Sequence, residues 1–187
     1  MKTMSTLEQL SQTTKGLQQT VATEFASLDL AALNFKPAPD SWSILECLEH
    51  LNRYSRYYNS AIAKAIAQNT GGTDVTSISY SWLGKKSVDM VRPQNTKKHQ
   101  TVKHMNPNNS QLDRTTVEEF LQHQQELQQL LQQARGANLA KKAVPVEFFK
   151  LLKMRIGEAL EFVVVHQERH VQQALRVKQQ QAKLAAA

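Results

Sequence analysis

The stretch from Arg155 to Lys178 constrains this chain more than any other. It contains no proline, is rich in Leu, Ala, Glu and Gln, and places Ile156, Leu160, Val163, Ala174 and Val177 at the recurrence of one helical face. His166 and His170 stand four residues apart on the side of that stripe, so on a helix they stack one turn from each other. Glu158, Glu161, Glu168, Arg169 and Gln172 fall on the opposite side. Two imidazoles among aliphatic side chains need partners, because an unpaired buried polar group is costly. The pair has metal-ligand spacing, and its meaning depends on a third ligand elsewhere.

The rest of the chain reads as three further helices. Leu7, Leu10, Leu17, Val21, Phe25 and Leu28 mark an amphipathic helix over Ser5 to Leu28, which the Pro37 and Pro39 segment ends. Ser41, with Asp40 competing, is the expected N-cap of a second helix from Trp42 to about Gln68, with Ile44, Leu48, Leu51, Tyr58, Ile62 and Ile66 on one face. By periodicity alone His50 sits at the boundary of that face. Gly71-Gly72 closes the helix, and residues 70 to 114 are irregular, long for a connection inside one domain, and expected to cover one end of the helices. Within them Trp82, Leu83, Val88 and Val91 predict a short helix from Tyr80 to Val91.

Thr115 or Thr116 is the expected cap of a third helix carrying Val117, Phe120, Leu121, Leu127, Leu131 and Ala134, with Gly136 expected to close it in the left-handed conformation. Its Gln-rich outer face reads as a solvated surface. Pro145 opens a segment in which Phe148, Phe149, Leu151 and Leu152 are expected to anchor the start of the last helix. The pattern is all-α, and a length of 187 residues suits one domain over residues 1–182. Residues 183–187 look like a vector-derived tail.

Charge and cysteine content narrow the setting. The chain has 23 basic and 16 acidic residues, a net charge of +7. Between Lys85 and Lys103 six basic residues face one acid, Asp89, so this segment supplies +5 and the remainder nets close to neutral. It reads as a solvated loop, as a surface for a carboxylate-bearing cofactor, or as a nucleic-acid contact; no aromatic ladder or recognised motif supports the last. The lone Cys47 excludes an internal disulfide framework and suits a reducing compartment. Without a signal-like or spanning apolar run, the expected location is cytoplasmic, with no membrane partner.

Two stretches together resemble the DinB-like superfamily: Lys36-Pro37-Ala38-Pro39-Asp40-Ser41-Trp42-Ser43-Ile44-Leu45-Glu46-Cys47-Leu48-Glu49-His50-Leu51, and His166-Gln167-Glu168-Arg169-His170-Val171-Gln172-Gln173-Ala174. The resemblance implies an up-down-down-up four-helix bundle, here with a long irregular insertion between its second and third helices. It implies a divalent metal held by His50, His166 and His170, zinc or nickel being expected first. Relatives include bacillithiol- and mycothiol-dependent S-transferases and a maleylpyruvate isomerase, which implies a small-molecule substrate, a low-molecular-weight thiol as possible cofactor, and a homodimer.

Three neutral imidazoles leave coordination positions open, the arrangement of a catalytic metal that lowers the pKa of a bound thiol or water. With that chemistry, the resemblance implies a metal-dependent hydrolase or thiol S-transferase. The alternative is a stress-related binding or dimerisation protein whose metal is vestigial or structural. A His-Glu-x-x-His protease is excluded, because in His166-Gln167-Glu168-Arg169-His170 the acid is at the third position.

Around this set, Glu46 is either an acceptor orienting His50 or a solvated helix residue. Trp42 reads as a core anchor in preference to a substrate platform, and Cys47 as a small buried hydrophobe in preference to a nucleophile. Arg169 is expected to pair with Glu46 or Glu49. His99, His104 and His123 are expected at the surface.

Overall fold

Helix formation follows the stripes closely. The computed structural model describes residues 5–72, 77–95, 97 and 100–186. His99, Lys98 and Ala187, each part of a sequence expectation, lie outside the described residues. Among those described, the helices are α1 (Thr6–Glu24), α2 (Leu30–Asn34), α3 (Ile44–Gln68), α4 (Trp82–Val91), α5 (Thr115–Gln133) and α6 (Ile156–Ala185). A hairpin, β1 (Lys142–Val146) and β2 (Phe149–Arg155), precedes α6. The protein is thus mostly helical, broadly consistent with the all-α expectation, with the addition of one small two-stranded sheet.

The caps explain several boundaries. Ser5 Oγ accepts from Glu8 N–H at the start of α1. At α3 the cap is Ser43, not Ser41 or Asp40: Ser43 Oγ accepts from Glu46 N–H at 3.1 Å, and the Glu46 carboxylate accepts from Ser43 N–H at 2.9 Å. This reciprocal box starts the helix two residues later than the sequence suggests. Asp113 takes the capping role near α5, accepting from Thr115 N–H at 2.9 Å. Gly136 ends a 3-10 turn without left-handed backbone; the glycine at positive φ is Gly71, at 85°.

The four long helices pack as α3 on α5 and α6, and α1 on the same two. The apolar stripes fill two clusters. One takes Ile44 to Leu51 of α3, Val117 and Phe120 of α5, and Val171 to Val177 of α6. The other takes Tyr58 to Ile66 of α3, Leu127 and Leu131 of α5, and Ile156 to Val165 of α6. His50, His166 and His170 fall where one cluster gives way to the other.

The insertion lies along α6. Helix α4 packs on α6 and covers the face opposite its apolar stripe. Glu158 and Glu161 are consequently buried. Glu158 accepts from Arg155 N–H at 2.8 Å, from Ser81 Oγ at 3.2 Å and from Ser81 N–H. Glu161 accepts from Arg92 at 2.9 Å and from the Tyr80 hydroxyl. Burying two carboxylates is tolerable only because each is met by donors from the insertion.

Close approach of α4 to α6 depends on Gly84, where a Cβ would overlap the Glu158 carboxylate. Gly84→Ala is therefore expected to push α4 off α6 and destabilise the fold by about 1–3 kcal/mol. Urea denaturation checks this, and a midpoint equal to wild type would contradict it.

Candidate metal centre

Helix α3 contributes His50 and α6 contributes His166 and His170, so the seam between these two helices brings the three together across 116 residues of sequence. Their ligand atoms lie within 4.8 Å of one another, close enough to hold a metal ion. His50 is 2 % exposed and His166 5 %. The boundary position that periodicity assigned to His50 is thus overturned: the insertion closes over that side of α3.

The hydrogen bonds set the tautomers. His50 Nδ1 lies 2.8 Å from the backbone carbonyl of Met105, an acceptor only, so Nδ1 carries the proton and the Nε2 lone pair points into the cluster. His170 Nδ1 likewise faces Gln173 Oε1 at 2.9 Å, which leaves its Nε2 free. His166 Nε2 stands 3.2 Å from His50 Nε2. Without a metal that contact is a hydrogen bond in which His166 donates. The separation also matches the edge of a tetrahedron of nitrogens around zinc, about 3.3 Å for bonds of about 2.0–2.1 Å. The donor set and spacing therefore fit a divalent ion.

Electrostatics favour lone pairs over protons at this place. Burial lowers the His50 pKa from 6.5 to about 4, against the Met105 bond that raises it. Burial, then the neighbouring imidazoles, hold His166 well below the usual histidine range, and burial followed by His50 does the same for His170. Neutral imidazoles are the metal-binding form.

Aromatic rings wall the cluster. Trp42 lies 4.8 Å from the His50 ring and 5.6 Å from His170, while Tyr54 lies 4.9 Å from His50 and 4.5 Å from His166. Phe162 stacks on His166 at 5.6 Å. Trp42 packs against the neighbouring apolar cluster as expected of an anchor, but it is only half-buried and its ring also faces the imidazoles. His170, also half-buried, is the histidine nearest solvent.

A comparison with protein families agrees with this geometry: the model for the DinB superfamily matches residues 9–174. The chain belongs to the DinB superfamily. Neither the curated proteins nor the solved structures contain a match to it.

Within this DinB-superfamily chain the residues around the histidines depart from several expectations. Glu46 is buried, but its carboxylate bonds to partners other than His50. Its carboxylate completes the α3 cap, pairs with Lys36 at 3.3 Å and accepts from Asn109 N–H at 2.9 Å, so it pins the insertion beside the site. Arg169 makes no pair with Glu46 or Glu49. Its guanidinium donates to the Arg92 carbonyl at 2.8 Å, the Lys97 carbonyl at 3.1 Å and the Asn95 carbonyl, while Glu49 is taken by Arg53 and Arg56. His123 is buried between Glu119 and Glu126, a correction to its surface assignment, and His104 is exposed and bonded to Glu147 at 2.8 Å. Cys47 is fully buried, and burial raises its thiol pKa, which makes it inert as expected.

The basic segment is partly spent on the fold. Lys85 and Arg92 both pair with Asp89, and Arg92 also reaches Glu161. Sequence reasoning missed Tyr54, Phe162, Gln173 and the Met105 carbonyl. The first three were findable, since they stand four residues from His50, four from His166 and three from His170; Met105 had no signal.

These histidines make stability pH-dependent in a definite sense. Below the ordinary value of 6.5 the unfolded chain takes up protons that the folded one refuses until about 4 at His50. The unfolded state then binds more protons, so stability is full above this window and falls as pH drops through it. Thermal unfolding of chelator-treated protein should show the midpoint falling across this window, less steeply for His50→Gln; a flat midpoint would contradict the burial of neutral imidazoles.

Proposed function

We propose that this DinB-superfamily protein holds a divalent metal ion at His50, His166 and His170 and acts as a metal-dependent hydrolase or thiol S-transferase on a small molecule. The observation that carries the reading is the convergence of three neutral imidazoles at one buried point, with the tautomers of His50 and His170 fixed by hydrogen bonds. The reading also takes from the family an up-down-down-up order for the four long helices and a homodimer, and from chain length and composition a single domain and a cytoplasmic location.

When bound, such a metal supplies Lewis acidity and a lowered pKa for a coordinated thiol or water. The protein's own part is orientation. Met105 fixes the His50 tautomer, Gln173 fixes that of His170, and Trp42 and Tyr54 restrict ring rotation and water access. A substrate approaches from the side of His170 and Trp42, where the cluster is least covered. Zinc or nickel suits three imidazoles, as do other late first-row metals.

The second reading, a binding protein with a structural metal, is favoured by the deep burial of His50 and His166. Turnover separates the two. An S-transferase consumes an electrophile only when metal and a low-molecular-weight thiol are both present, and a hydrolase needs the metal alone.

Elemental analysis of protein purified without chelator or nickel resin is expected to give about one zinc or nickel per chain. His166→Ala should abolish it, and metal-free wild type would sink the proposal. Removing the acceptor on His170 is a finer probe: Gln173→Ala should weaken metal affinity roughly 10- to 100-fold without unfolding the chain. Competition with a chromogenic chelator measures it, and an unchanged affinity would remove Gln173 from the site.

A further inference from the structure

Exposed large apolar side chains gather on two segments that touch. Helix α4 begins at Trp82 and packs against β2, next to the hairpin turn and strand that carry Phe148, Phe149, Leu151 and Leu152. Leu151 is 85 % exposed, Trp82 76 % and Phe148 62 %, so the anchoring role expected of the hairpin residues is overturned. Val144, Val146 and Met154 are buried instead and fasten the hairpin to the core. Single exposed apolar residues are ordinary, but a contiguous set marks an interaction face.

The strand register explains the exposure. Between the pairs Pro145–Lys153 and Val146–Phe149, β1 advances one residue while β2 advances four. Lys150, Leu151 and Leu152 are therefore looped out of the ladder, as in an enlarged β-bulge. Bulges re-aim side chains, and this one aims two leucines at solvent between two lysines.

The same face is basic. Residues 141–155 hold Lys141, Lys142, Lys150, Lys153 and Arg155 against a single acid, Glu147, which is engaged by His104. This run is concealed in the whole-chain charge count because acids elsewhere offset it. On the α4 side, Lys86 Nζ lies 4.9 Å above the Trp82 ring.

We propose that this face docks on an anionic lipid surface, with Trp82, Phe148, Leu151 and Leu152 entering the headgroup boundary and Lys86, Lys150 and Lys153 meeting lipid phosphates. Aromatic and aliphatic tips between snorkelling lysines are the chemistry of interfacial attachment. A second copy of this chain is a poorer occupant, because paired hairpins would bring their lysines together. Nucleic acid offers phosphates but no apolar layer for Leu151 and Leu152. Among the described residues no helix is long and apolar enough to cross a membrane, and surface docking requires none.

Co-sedimentation of the full chain with phosphatidylcholine vesicles, with and without phosphatidylglycerol, tests the proposal. Binding is expected only with phosphatidylglycerol, weakening as salt rises. Leu151→Glu should lower the partition coefficient about tenfold, and Lys150→Gln or Lys153→Gln about fivefold each. Circular dichroism should stay unchanged in all three, since these side chains are exposed.

Tryptophan emission should shift to the blue on binding, and the shift should be lost in Trp82→Phe. Absence of sedimentation, equal binding to both vesicle types, or wild-type binding by Leu151→Glu would overturn the proposal. So would a dimer dissolved by Leu151→Glu in sedimentation equilibrium, which assigns the face to a second copy, or oligonucleotide binding lost in the lysine variants. Docking requires none of the three histidines, so its failure leaves the metal reading standing.

Discussion

An imidazole removed from water must find a partner for each ring nitrogen, and three of them share the α3–α6 seam. The surrounding structure can be understood from that requirement. His50 sends its Nδ1 proton to a carbonyl that the insertion delivers, His170 sends its own to Gln173, and His166 Nε2 meets His50 Nε2 at 3.2 Å. The histidines occupy the break between two apolar clusters, where helix packing can admit polar groups without opening either cluster to water.

The insertion is held by charges that would be expensive if unpaired. Glu46 grips it at Asn109, Glu158 and Glu161 grip it at Ser81, Tyr80 and Arg92, and Arg169 gathers three of its backbone carbonyls from a position between two of the clustered histidines. Each grip satisfies a polar group on a long helix and orders a segment with few apolar residues of its own. The contact of Met105 with His50 therefore rests on charge-assisted hydrogen bonds distributed along α3 and α6.

Much of this was legible in the sequence, and the exceptions share a cause. The stripes of α1, α3, α5 and α6 report burial because their period is local, and Leu7, Tyr58, Leu127 and Leu160 are all inside. The His166 and His170 pair was equally plain. Periodicity alone left His50 at a boundary and Glu158, Glu161 and His123 away from the core, because coverage of a helix's outer face depends on residues far away in sequence. Phe148, Phe149, Leu151 and Leu152 were read as an apolar anchor because a short apolar stretch carries no reliable period.

By itself the sequence determined four amphipathic helices, a lone inert cysteine, a basic insertion and a His166/His170 pair at ligand spacing, since these depend on spacing and residue type, while His50 joined that pair through the family resemblance. Only the tertiary structure decided which histidine nitrogen faces the site, that Ser43 and not Ser41 caps α3, that acids on the outer face of α6 are buried, and that the hairpin turns its leucines outward. Each of those depends on which distant donor, carbonyl or strand comes to lie alongside, and that follows from packing and register, which local periodicity does not encode.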